Sequence, residues 1–224
     1  MEENNNNKEK FKNETKETVN QVKEAFKGTD FKTEAVNAKN FCLNFLKAPI
    51  ATVKSIASGE GNNIIIACIL LVLLIVFNVL GDAIYYGLNE YLDITAKVVV
   101  LDIISPILFI IVFSAATYLL GGKEKKNITT ILTAIVVAFT PYIIRDIIYI
   151  IYILINQVLS IYFIFNMISL TLGFATMVLL MYTIKALITK TGDEDKDFRR
   201  VLFIVFVSYA VVCILNKLEI YSSI

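Results

Sequence analysis

Histidine is absent from this sequence, and so is tryptophan. Without an imidazole there is no Ser-His-Asp triad, no HExxH zinc site and no histidine proton relay. A Gly-x-Ser-x-Gly elbow and a paired-aspartate Gly-x-Gly-Asp setting are missing as well, so no catalytic residue is assigned and an enzyme is not expected. Cysteine occurs three times, at Cys42, Cys68 and Cys213, without the close spacing that metal sites use. Cys68 and Cys213 fall in apolar runs and read as small core residues. No cofactor, metal or disulfide is therefore expected. Of the three prolines, Pro49 should break a helix, Pro106 falls near the start of an apolar run and Pro141 should kink another. The charge is nearly balanced, with a formal net charge of +1, so no strongly basic face points to nucleic acid. The first sixty residues lack an apolar signal-peptide core. The first apolar run is thus expected to act as its own uncleaved insertion signal.

What the chain does have is oil. Its residues are 57% hydrophobic, against about 45–50% in a soluble domain, and the mean hydropathy is +0.68. The excess is segregated. Residues 1–60 are polar and charged, and residues 61–224 are dominated by Ile, Leu, Val and Phe. The pattern predicts an all-α, polytopic bundle of five transmembrane helices (61–224) behind an amino-terminal amphipathic or interfacial region (1–60).

In chain order, residues 1–10 contain the run Asn4–Asn7 and read as disordered, having little to bury. From Lys8 to Lys27, charges of both signs surround a thin stripe of Phe11, Val19, Val22 and Phe26, which suits a solvated, partly helical segment or a surface helix. Phe31 to Leu46 carries a fuller stripe, including Phe41, Cys42, Phe45 and Leu46, flanked by Lys39 and Lys47. Rings beside lysines suit the headgroup boundary, so Lys39 and Lys47 are candidate lipid contacts. Apolar spans follow at about 64–80 (extending towards Tyr86), 98–120, 128–155, 158–187 and 201–215. Lysine and arginine concentrate before span one, in the loop after span two (Lys123, Lys125, Lys126) and in the loop after span four (Lys185, Lys190, Lys196, Arg199, Arg200). By the positive-inside rule the amino terminus should be cytoplasmic and the carboxyl terminus outside, with the chain in the plasma membrane.

The hairpin of Ile107 to Ile144 carries a family resemblance. An apolar helix ends in Leu119-Leu120-Gly121-Gly122-Lys123. A short polar loop follows, then Thr129-Thr130 and Phe139-Thr140-Pro141. This order resembles the Yip1 domain family, particularly its bacterial members, and the Asn-, Lys- and Ile-rich usage leans the same way. Asp102 and Pro106 keep only the outer spacing of that family's eukaryotic Asp-Leu-Tyr-Gly-Pro motif. The resemblance implies a cytosolic amino-terminal region followed by five membrane helices. It also implies a non-enzymatic role in organising membrane or serving as an adaptor for a protein partner bound through the amino-terminal region.

Three charges inside the spans stand out: Asp102 on span two, and Arg145 and Asp146 on span three. Burying an unpaired charge there costs about 2.5–3.5 kcal/mol on insertion scales. Arg145 should therefore face the bundle and pair with Asp102, either to fix helix register or to form part of a ligand site. The second option keeps a small transporter or channel as the alternative function. Gly121-Gly122 reads as a helix stop, and Lys123, Lys125 and Lys126 read as candidate lipid-phosphate contacts. Ser169, Thr171, Gly173, Thr176 and Ser208 read as small residues that allow close helix packing.

Overall fold

An unpartnered backbone amide costs several kcal/mol in hydrocarbon, so long apolar runs must fold as helices or as a closed barrel. The computed structural model describes residues 2–27, 30–59, 64–88, 95–122, 126–156 and 162–221. These form α1 (Glu2–Phe26), α2 (Phe31–Lys47), α3 (Pro49–Ser58), α4 (Ile64–Leu88), α5 (Thr95–Leu120), α6 (Ile128–Ala138), α7 (Thr140–Asn156), α8 (Tyr162–Leu187) and α9 (Glu194–Tyr221), with no strand among the described residues. Five stretches are long and apolar enough to cross a membrane: Ile64–Leu88, Val99–Leu120, Ile128–Asn156, Tyr162–Leu187 and Glu194–Leu215. At about 1.5 Å per residue, α4 and α8 are each roughly 38 Å long, more than a hydrocarbon core of about 30 Å. The protein is an all-α, multi-pass membrane bundle.

The third stretch is the centre of the bundle. In its most apolar window 56% of the residues are buried, against 17–28% in the other four. On α6, Ile131, Ala134, Ile135, Val137 and Ala138 are all inaccessible. The outer spans instead turn large side chains outward, among them Leu119, Phe163, Phe174 and Phe206. In water such surfaces would associate, whereas against acyl chains they carry no such cost.

Both membrane prolines leave a carbonyl without its helical donor, and each carbonyl is answered by a side chain. Pro106 lies inside α5 and removes the amide that would bond the carbonyl of Asp102; Asn78 Nδ2 on α4 donates to that oxygen at 3.0 Å. Pro141 does the same to Val137, whose carbonyl accepts from Thr140 Oγ1 at 2.7 Å. The third span therefore breaks at Phe139 into α6 and α7 instead of running through as one kinked helix.

The amino-terminal helices are stitched to one end of the bundle. On α1, Thr18 Oγ1 lies 2.9 Å from Thr129 Oγ1, and the Thr129 hydroxyl donates to Gln21 at 3.1 Å. Asp30 caps α2. The Thr33 hydroxyl and the Lys32 amide donate to its carboxylate and hold it below its usual range. As expected, the chain breaks at Pro49: α2 ends at Lys47 and Pro49 opens α3, which buries Val53, Ile56 and Ala57 and packs on α6 and α8.

Four expectations change. Helix α1 begins at Glu2, not near Lys8, because extending an established helix adds a hydrogen bond per residue at little further cost. Helix α9 begins at Glu194, well before residue 201, and its first turn carries Glu194, Asp195 and Asp197 against the positive end of its dipole. Cys213 is exposed on the bundle surface and Cys68 is only half-buried, so neither is a core residue. Among the small residues of spans four and five, Thr176 and Ser208 are buried, whereas Gly173 faces open space and Thr171 is exposed.

Candidate functional site

The charged residues Asp102, Arg145 and Asp146 lie where α4, α5 and α7 meet. Helix α7 packs extensively on α4, and α4 on α5. Measured along the helices, Arg145 lies about 25 Å from the start of α6 and about 16 Å from the end of α7, well away from either end of the third apolar stretch. Its guanidinium sits 4.3 Å from the ring centroid of Tyr142, one turn back on α7, in a cation–π contact.

Arg145 does not pair with Asp102. Its Nε and Nη2 both donate to Oδ1 of the adjacent Asp146, at 3.0 and 2.7 Å. The expectation of an inter-helical Arg145–Asp102 bridge is thus corrected. Neighbouring residues leave a helix about 100° apart, but a long arginine can curl back on its own helix and meet the acid nearest in sequence. Asp146 is buried at 4% exposure, and its Oδ2 has no partner. The Arg145 side chain remains 31% accessible.

Asp102 turns to a different partner. Its carboxyl group lies within hydrogen-bonding reach of Asp82 on α4 and within electrostatic range of Asp146. Three carboxyl groups therefore share this region with one guanidinium. Among the described residues, no group of acidic and cysteine side chains has the geometry to hold a metal.

A cavity of about 220 Å³ opens beside this cluster. Asn78, Ser105, Tyr142, Arg145 and Asp146 supply its polar wall, and Leu74, Pro106, Phe109 and Phe139 its apolar wall. The sequence reading singled out Asp102, Arg145 and Asp146 but missed Asn78, Ser105 and Asp82. Asn78 carried a signal: it is the one amide in the apolar run 64–80, and a proline four residues after Asp102 announces a carbonyl that needs a donor. Asp82 reads in sequence as the start of an acidic loop, yet it lies within α4.

The candidate lipid contacts are elsewhere. Lys39 and Lys47 are exposed on α2, and Lys126 is exposed just before α6; Lys123 and Lys125 lie outside the described residues. The glycine pair before them has a packing role. Gly122 takes a left-handed φ of +96°, and a Cβ there would sit 2.7 Å from Thr189 Oγ1. This closeness lets the α5–α6 and α8–α9 connections bond each other, Thr189 N to Gly121 O at 2.8 Å and Lys126 N to Leu187 O at 3.2 Å. No family model, curated protein or solved structure matches the chain.

Proposed function

We propose that this protein is a non-enzymatic organiser of membrane, of the Yip1-like type its central hairpin resembles, and that its amino-terminal helices lie on the bilayer surface. The observation that supports this most directly is the two-sided character of α2. One face buries Ala38 and Phe45. The other leaves Val36, Leu43 and Leu46 exposed among exposed Lys32, Lys39 and Lys47. Apolar side chains rimmed by ammonium groups are the chemistry of an anionic headgroup layer. Helix α2 packs on α4 and α3, and in this reading it lies at headgroup depth beside the end of the bundle. In this reading the amino-terminal side faces the cytoplasm, the membrane is the plasma membrane, and a protein partner docks on α1 and α2.

The test is a spin label at Leu43→Cys in the full-length protein, with Cys42, Cys68 and Cys213 replaced by Ser. In nanodiscs with anionic lipid, oxygen accessibility should place the label at headgroup depth. Combined Lys32, Lys39 and Lys47→Glu substitutions should return it to the aqueous phase. A label that is water-exposed in anionic nanodiscs without those substitutions rejects the proposal.

A further inference from the structure

We propose that the cavity between α4, α5 and α7 binds a small zwitterion of the free amino-acid type with an apolar side chain. Its carboxylate would rest on Arg145 and its ammonium on Asp146.

The ion pair itself points to this. Arg145 and Asp146 are neighbours on one helix, so their contact ties no two helices together and fixes no register. The pair is also incomplete on both sides. In a matched guanidinium–carboxylate fork, two nitrogens meet two oxygens. Here two nitrogens converge on the single oxygen Oδ1. That leaves Nη1 without an acceptor among the described residues, and Asp146 Oδ2 without a donor. A buried acceptor with no donor is costly in the low-dielectric interior of a bundle. Arg145 and Asp146 both line the cavity, so one guest can meet an unused donor and an unused acceptor together.

The volume and walls narrow the class. A space of about 220 Å³ equals roughly seven liquid-water volumes and falls below the range of drug-sized sites. Phe109, Phe139 and Leu74 form an apolar side wall suited to a short aliphatic chain. Charge narrows it further. A lone anion would face Asp146. A lone cation would face Arg145. A zwitterion meets both charges and brings no net charge into the bilayer, where an unbalanced one is expensive. Asp82 and Asp102 lie within electrostatic range of Asp146, the residue that would receive the ammonium. The site is independent of whether α2 lies on lipid.

The experiment uses the full-length protein in detergent. Thermal unfolding is first followed with each apolar L-amino acid at millimolar concentration, and the one giving the largest shift is then radiolabelled for equilibrium dialysis. Saturable binding near one per chain is expected. The matching amine without a carboxylate, and the matching acid without an ammonium, should each compete at least tenfold more weakly. Ser105→Leu fills the cavity and leaves both charges in place, and Asp146→Asn removes the ammonium partner; each should weaken binding at least tenfold. Should Asp146→Asn fail to fold, Ser105→Leu and the competition series in the unaltered protein carry the test. Absence of any shift and any saturable binding means a cavity that holds water only, and overturns the proposal. So does equal competition by the amine or the acid alone, or binding unchanged by Ser105→Leu.

Discussion

At the scale of single residues, the interior of this bundle is governed by donors and acceptors that lipid cannot supply. Pro106 and Asn78 are the clearest case. The proline orphans the Asp102 carbonyl and the asparagine answers it from a different helix, so one backbone defect becomes an α4–α5 tie. Asn78→Leu should lower stability by about 1 kcal/mol, the scale of inter-helical hydrogen bonds in membranes. In a Pro106→Ala background the amide of residue 106 returns as a donor to Asp102, and the same Asn78→Leu change should cost little. Unfolding of the four proteins in mixed micelles measures this cycle; equal costs in both backgrounds would mean that the carbonyl is not what Asn78 serves. This tie was half legible. The Asp102–Pro106 spacing is visible in the sequence, but its partner lies on another helix and only the packing identifies it. Arg145 was legible as a charge needing an acid. Which acid it meets depends on a side-chain path along its own helix, and depth matching pointed instead to Asp102.

At the scale of elements, hydropathy was enough to locate the five spans, because segregation of apolar from charged residues is strong and lipid tolerates only helices of a certain length. It located the ends less well. Charged first turns such as Glu194 to Asp197 are helical for reasons of dipole and capping, which an apolar window does not register. The break at Phe139 was visible only as a proline; the hydroxyl of Thr140 that makes it stable is a local matter of geometry. The connections between elements depend on backbone conformation. Gly122→Ala should cost about 2 kcal/mol, combining left-handed strain with the contact on Thr189. Gly192→Ala has a similar positive φ of +83° but meets nothing within 4 Å, so it should cost only the strain, about 1 kcal/mol. Thermal or denaturant unfolding of the two variants separates the terms; equal losses would remove close approach as the reason for the glycine at 122.

At the scale of the whole molecule, three features meet at one end. The α5–α6 and α8–α9 connections are hydrogen-bonded to each other, and α1 reaches the start of α6 through Thr18, Gln21 and Thr129. The segments that hold most of the lysine and arginine are therefore neighbours in space as well as alternate in sequence. At the other end α4 finishes in Tyr85 and Tyr86, packed edge to face with centroids 5.4 Å apart, the kind of aromatic pair that sits at a membrane boundary. Positive charge is retained on the cytoplasmic side during insertion, and five crossings, an odd number, would put the chain ends on opposite sides. A reporter fused before α1 should accordingly be active only in the cytoplasm, and one fused after Ile224 only outside. Reversing the bias by replacing Lys123, Lys125, Lys126, Lys190, Lys196, Arg199 and Arg200 with neutral residues and adding lysines at 89–94 should produce a population with both reporters exchanged. Two reporters active on the same side in the unaltered protein would mean that one of the five apolar helices does not cross, and Ile128–Asn156, broken at Phe139 and the most buried, would be the first to re-examine.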